Sequence, residues 1–481
     1  MDKTSRIFNN KIPDKIIRKA NKSKNKFIRK FGDDTNGTYH LKPVVNPTLD
    51  HINISNLVIS NEPLQLEENA IIIGNIRMGF GHYRIAMAIA SCANALGYKP
   101  YWFDLNSFSS TTGGKMIEHQ NKLYSFGSRL SQKSKLFNYF IWEPMNRETF
   151  RKINYNAIDQ KNTELLTPIY NDLPKDTPFI GTHVWPTQGA IHHGMTNVVN
   201  VIPDNWPMGL HLAEGSIHTV QTPFAYLGYK TLWGMAKKQL NSMPSDAIFE
   251  VGNYVDHELV DNIVEDTNNR LVRIKDKKPL RVLLPVGGAG AGQRIFESLI
   301  NYLMPHIETG KIQLILNFGD HLNVYSYLEK CVSKFKENTK KLFNQYDAIQ
   351  DMVKDFDQCD AGIYAIYHKD IYQAVYSTNI LMRISDVLVT KPSELTFYPI
   401  PKFFIKRVGG HEAYGAVHSS EMGDGTFECQ TNEEIIQMMD KILNEPDILK
   451  SFNHQILKLN KMKRYHGGYE AVKLAIKKSE N

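Results

Sequence analysis

Leu280-Arg281-Val282-Leu283-Leu284-Pro285-Val286-Gly287-Gly288-Ala289-Gly290-Ala291-Gly292-Gln293 sets an apolar run directly before four glycines in six positions. The run reads as a buried strand, and the apolar spacing from Gln293 to about Met304 reads as the helix that follows. Glycine accepts positive φ and allows close backbone approach, so a strand opening into a helix through this loop aims N–H groups at an anion. A phosphate or diphosphate is the expected ligand, held by Gly287, Gly288, Gly290, Gly292 and Gln293. Gln293 and Arg294 stand where a Walker A loop needs Lys and Ser/Thr, and the G-x-G-x-G spacing departs from the dinucleotide fingerprint G-x-G-x-x-G. The competing reading is a tight turn where helix packs on strand.

A strand at Ile312 to Phe318 completes this βαβ unit. An earlier one begins at Ala70-Ile71-Ile72-Ile73-Gly74, turns through Arg77-Met78-Gly79-Phe80-Gly81-His82, runs helically to Leu96 and returns at Pro100 to Phe103. Two such halves predict an α/β protein of two facing Rossmann-like domains with a cleft between them. The expected divisions are a basic leader and irregular lead-in at 1–68, an N-terminal Rossmann-like domain at 69–260, a C-terminal Rossmann-like domain at 275–450 and a basic helix at 451–481. The polar stretch 256–279 is the expected crossing. Short strands at Pro178 to Gly181, Asn197 to Ile202 and Ser216 to Val220 extend the first half. Ligands of open parallel sheets bind beyond the carboxyl ends of strands, so His183, Trp206 and His211 join Gly79 and Gly81 as candidates for a ligand cleft. His82 opens a helix, where the dipole favours neutral imidazole, the form a general base needs; Asp204 is the second candidate base. For His82 a purely structural role is the competing reading.

At 481 residues the chain exceeds what one core usually serves. Hydrophobic residues at 42%, charged residues at 22% and a mean hydropathy of −0.37 are those of a globular protein. Nothing approaches the roughly 18 consecutive apolar residues of a membrane span, so the expected location is the cytoplasm. Cys92, Cys331, Cys359 and Cys429 lack CxxC or metal-ligand spacing and read as free thiols. No metal is expected: His192 and His193 are adjacent rather than on one helix face, and Asp355-Phe356-Asp357 reads as a solvated helix surface. Residues 1–30 carry eleven Lys or Arg against Asp2 and Asp14, or +9; the chain total is +7, which leaves the body at −2. That distribution argues against nucleic acid as a partner of the fold. The leader, with Ile16, Ile17, Phe27, Ile28 and Phe31 among its cations, reads either as a solvated tail or as an amphipathic helix on an anionic inner membrane face. On both readings it is dispensable for folding.

The pairing of Gly79-Phe80-Gly81-His82 and Ala86 with the later glycine loop and Lys391-Pro392 resembles the glycosyltransferases that include monogalactosyldiacylglycerol synthase and the lipid II N-acetylglucosaminyltransferase, from about residue 69 to 430. The resemblance implies a GT-B fold, with 69–260 as the acceptor domain, 275–450 as the nucleotide-sugar domain, and Gly79, Gly81, His183, Trp206 and His211 in the acceptor cleft. It also implies inverting transfer from a nucleotide sugar, expected to be UDP-linked, to a hydroxyl acceptor that in this family is lipid or lipid-linked. The nucleotide sugar is substrate, and no cofactor is required. Asp204 is similar to the aspartate ending a strand of the first domain, and Gly252 with Val255 to the glycine and valine before the crossing. Ser385-Asp386-Val387-Leu388-Val389-Thr390-Lys391-Pro392 resembles the segment introducing the donor helix, and His411-Glu412 with Ala416 an element facing the donor sugar. The sequence departs where the family has two glycines and a ribose-binding Glu: Ser393-Glu394-Leu395-Thr396 follows Lys391-Pro392, and Pro399 takes the Glu position, with Glu394 as the candidate substitute. UDP-sugar epimerisation and non-catalytic sugar-nucleotide binding are the alternatives.

Overall fold

A computed structural model describes residues 3–142, 144–288 and 290–477. It divides into two compact units, one of residues 1–257 with 409–411 and 466–481, the other of 258–408 with 412–465.

The first unit is built on an eight-stranded sheet. Its strands are β1 (His40–Val45), β2 (Ser55–Ser60), β3 (Ala70–Asn75), β4 (Lys99–Asp104), β5 (Phe179–Gly181), β6 (Val198–Val201), β7 (Ile217–Val220) and β8 (Ile248–Glu250). Their order is β8-β7-β6-β5-β3-β4-β2-β1, parallel throughout except for the β1–β2 edge. Every residue of β3 and β4 is buried, as expected of strands covered on both faces. The chain runs from β3 to β4 on one side and later crosses to β5 on the other, so β3 and β5 flank a topological switch point. Ile73 pairs with Ile180 and Gly74 with Gly181 there.

The second unit carries an all-parallel six-stranded sheet. Its strands are β9 (Leu280–Pro285), β10 (Ile312–Asn317), β11 (Thr339–Phe343), β12 (Gly362–Tyr367), β13 (Val387–Thr390) and β14 (Lys402–Phe404), in the order β11-β12-β10-β9-β13-β14. The switch point lies between β9 and β13, and the glycine loop leaves β9 there. Both units are therefore Rossmann-like α/β folds, and the helix Gln293–Glu308 follows the loop.

Two segments differ from the sequence reading, the leader and the C-terminal stretch. The leader is not a solvated tail, and its apolar residues face the protein: Ile7, Phe8 and Ile12 are buried, and Asp14–Phe31 is a helix. Ile16 and Ile17 pack on the core cluster of Val220 and Tyr229, and Phe27, Ile28 and Phe31 on that of Phe103 and Phe179. Its apolar stripe is thus spent on the protein itself.

The polar stretch 256–279 contains the division between the two units, at 257/258, and most of the remainder is packed helix, chiefly Ile263–Lys275. Arg270 is fully buried there and donates to the carbonyls of Ser385 (2.8 Å), Met382 (2.9 Å) and Pro399 (3.3 Å). One charge of the stretch thus satisfies three buried acceptors. Residues 451–481 are not one helix. Pro446–Lys461 belongs to the second unit and Gly467–Lys477 to the first, where a Cβ on Gly467 would lie 2.3 Å from the Gly252 carbonyl oxygen.

Candidate functional site

In the first unit the turn after β3 and the residues after β5 and β6 bring four of the predicted side chains together. Gly79 has φ of +80° with open space around its missing Cβ, so it serves the turn's conformation. Gly81 is the first residue of the helix Gly81–Ala95, and His82 follows it. His82 Nδ1 lies 2.7 Å from the Thr182 carbonyl oxygen, just past β5. A carbonyl only accepts, so Nδ1 carries a proton, and in the neutral ring the lone pair is on Nε2. The His82 ring meets that of His183 edge to face at 4.7 Å.

His183 caps the helix Val184–His193, its Nδ1 accepting the Trp185 N–H at 3.1 Å. Burial first, then the nearness of His82 and His211, holds its pKa well below the usual imidazole range, so it is neutral at pH 7. Past β6, His211 Nε2 stands 3.4 Å from Asp204, and His211 Nδ1 lies 2.6 Å from the Tyr229 hydroxyl. Asp204 remains one-third exposed whereas His211 is buried. His82, His183, His211 and Asp204 thus form one cluster of titratable groups beyond the carboxyl ends of neighbouring strands. The Trp206 carbonyl accepts from the same Tyr229 hydroxyl at 3.3 Å, while its ring is buried, stacked on Phe224 (6.2 Å), and covered by the Arg151 guanidinium at 4.6 Å.

Asp104, at the end of β4, carried no sequence prediction. Its carboxylate accepts from the Tyr83 hydroxyl and from the Asn106 N–H (2.9 Å). Burial, partly offset by the Tyr83 bond, raises its pKa to about 6. Its signal was available, since it directly follows the apolar run Pro100 to Phe103.

In the second unit Gly290 has φ of +63° and Gly292 +93°, conformations that L side chains rarely adopt. A Cβ on Gly290 would lie 3.0 Å from His321 Nδ1, and one on Gly287 3.4 Å from Lys391 Cε. The loop is therefore flanked by an imidazole from beyond β10 and an ammonium from beyond β13. Gly292 precedes the first turn of the helix Gln293–Glu308, whose N-terminus adds to the positive field. His321 went unnoticed in the sequence, although it follows a strand as the other candidates do.

Lys391 Nζ pairs with Glu412 at 2.5 Å, and the other carboxylate oxygen of Glu412 accepts the Val408 N–H at 2.8 Å. Glu412 is nearly buried, whereas Lys391 is about a quarter exposed. Glu394 opens the short 3-10 helix Glu394–Phe397 just downstream, so no long helix follows Lys391-Pro392. The His411 side chain lies outside the described residues. Asp357 is largely exposed and is engaged by Arg281 and by Arg273 (3.5 Å). Among the described residues no group of His, Cys, Asp and Glu could hold a metal ion.

Residues 6–231 match a family described as "Domain of unknown function (DUF6937)", and residues 243–476 one described as "Domain of unknown function (DUF6938)". No curated protein matches the chain. Among solved structures, the UDP-GlcNAc 2-epimerase of Neisseria meningitidis bound to UDP-GlcNAc is 11% identical, with a TM-score of 0.47 over 85% of this chain and 99% of its own. The α,α-trehalose 6-phosphate synthase of Burkholderia multivorans is 10% identical, with a TM-score of 0.42 over 85% of this chain and 98% of its own. At such distances residue roles rest on this chain's own geometry.

Proposed function

We propose that the chain binds a nucleotide-activated sugar, UDP-linked, in its second unit and transfers the sugar with inversion to a hydroxyl acceptor. The glycine loop carries the reading: it leaves the sheet at the switch point with positive φ at Gly290 and Gly292, between Lys391 and His321. Backbone N–H groups, the helix N-terminus and the Lys391 ammonium are preorganised donors for charge developing on a leaving diphosphate, a task that needs no metal. In the first unit His82 holds its proton on Nδ1 against Thr182, so Nε2 is the nitrogen that would take the acceptor's proton.

Calorimetric titration with UDP tests the donor site. Gly290→Val should weaken UDP binding by roughly 10- to 100-fold, the scale of one or two lost bonds to a charged group, while circular dichroism stays unchanged. Equal affinity in a folded variant would remove the loop from the site.

A second reading, epimerisation of a UDP-sugar, draws on one observation. The first unit holds Asp204 with His211 as well as His82 with His183, so one group could withdraw a proton and another return one. Incubation with UDP-sugars alone separates the two: an isomerised sugar means epimerisation, and UDP release means transfer to water.

A further inference from the structure

Between β4 and β5 the chain leaves the sheet through the helix Thr112–Lys133 and the helical turns that follow it. Five large apolar side chains of this excursion are exposed: Leu123 (59%), Phe126 (62%), Leu136 (72%), Phe140 (68%) and Ile141 (53%). Leu123 and Phe126 are three apart and Leu136 and Phe140 four apart, spacings that put each pair on one helix face. The excursion folds back on itself at Gly127, where a Cβ would lie 2.4 Å from the buried Trp142 ring. Isolated exposed apolar residues are ordinary, but five within 19 positions need an occupant.

The neighbouring element says which. The helix Asp14–Phe31 packs beside this excursion: Lys30 Nζ stands 3.5 Å from His119, and the rings of Phe27 and Phe31 meet His119 edge on at 6.2 and 5.9 Å. Because its apolar residues face the core, its cations Lys15, Arg18, Lys19, Lys22, Lys26, Arg29 and Lys30 are exposed. Cations of both elements converge on His119, whose pKa is lowered first by burial and then by Lys30, Lys26 and Lys122.

We propose that the excursion 112–142, with the basic helix Asp14–Phe31 at its side, docks the protein on an anionic lipid bilayer. The exposed Leu, Ile and Phe side chains enter the acyl boundary while the cations stand against the headgroups. The leader supplies only the charge, and the insertion comes from a segment about 100 residues downstream. This inference is independent of the nucleotide-sugar reading.

Sedimentation of the full chain with phosphatidylcholine vesicles, with and without phosphatidylglycerol, tests it. The unmodified protein should partition onto the anionic vesicles, less so at high salt. Leu136→Ser/Phe140→Ser/Ile141→Ser should lose at least about tenfold in partition even at low salt, since each buried CH₂ contributes to insertion. Lys19→Gln/Lys22→Gln/Lys26→Gln should lose on the order of 10²-fold, and only on anionic vesicles, at about fivefold per cation. Circular dichroism and UDP titration of the same samples establish that both variants are folded and keep the nucleotide site separate. Equal sedimentation of the three proteins, or no preference of the unmodified protein for anionic vesicles, overturns the proposal. So does concentration-dependent self-association in light scattering that the apolar variant abolishes, which would give the patch to a second copy of the chain.

Discussion

His82→Ala is expected to slow UDP release from a UDP-sugar by about 10²- to 10⁴-fold, the usual scale for loss of a general base, with UDP affinity unchanged. The two effects separate because His82 belongs to the first unit and the glycine loop to the second. Water serves as acceptor in this assay, so no acceptor need be known. The substitution also removes a ring from the face of His183 and a bond to the Thr182 carbonyl, so structural damage has to be distinguished from lost chemistry. His82→Asn does so, since its amide can still donate to Thr182 but offers no lone pair where Nε2 stood. It should be as slow as the alanine variant, and added imidazole should restore part of the rate to His82→Ala. Near-normal turnover in both variants would move the base to Asp204, which His211 holds at 3.4 Å.

What the sequence showed and what it hid have a common physical cause. Buried parallel strands are nearly uniform apolar runs, so Ile71-Ile72-Ile73 and Leu280 to Pro285 announced both sheets. Positive φ at Gly290 and Gly292 is a local demand that only glycine meets cheaply, and it too was visible. The carboxyl-end rule nominated His183, Asp204 and His211 from strand positions alone, and they lie near His82 in the structure. The rule would have nominated His321 and Asp104 had it been applied after every strand.

Partners distant in sequence were not legible. An apolar stripe on a basic helix has the same spacing whether it meets lipid or protein, so Phe27, Ile28 and Phe31 could not disclose that they cover Phe103 and Phe179. Gly467 and Gly468 read as an ordinary break. Their small size is explained only by the Gly252 carbonyl and the Cys92 thiol, 2.3 and 2.7 Å from where a Cβ would stand. Trp206 lay at the right strand end, yet aromatic stacking and Arg151 draw its ring into the interior.

Removing residues 1–31 is accordingly expected to unfold the first unit. Ile7, Phe8 and Ile12 would leave behind the surfaces of Ile202, Leu212, Val220 and Tyr229 that they cover. At about 1.5–3 kcal/mol for each fully buried side chain, these three contribute roughly 5–9 kcal/mol, comparable to the whole net stability of a domain. Polar contacts add to the loss. Asn10 donates to the Asn241 carbonyl (3.0 Å) and accepts the Asn241 N–H (2.8 Å), and Lys24 pairs with Glu164 at 2.7 Å. Thermal unfolding followed by circular dichroism should show the full chain melting cooperatively and the truncated chain without the first unit's transition, or insoluble. Ile7→Asp/Ile12→Asp in the full chain separates packing from charge, since it keeps every cation of the helix Asp14–Phe31; it should lower the melting temperature nearly as far as truncation does. A truncated chain that melts where the full chain does would free the leader from the fold and return its apolar stripe to the search for a partner.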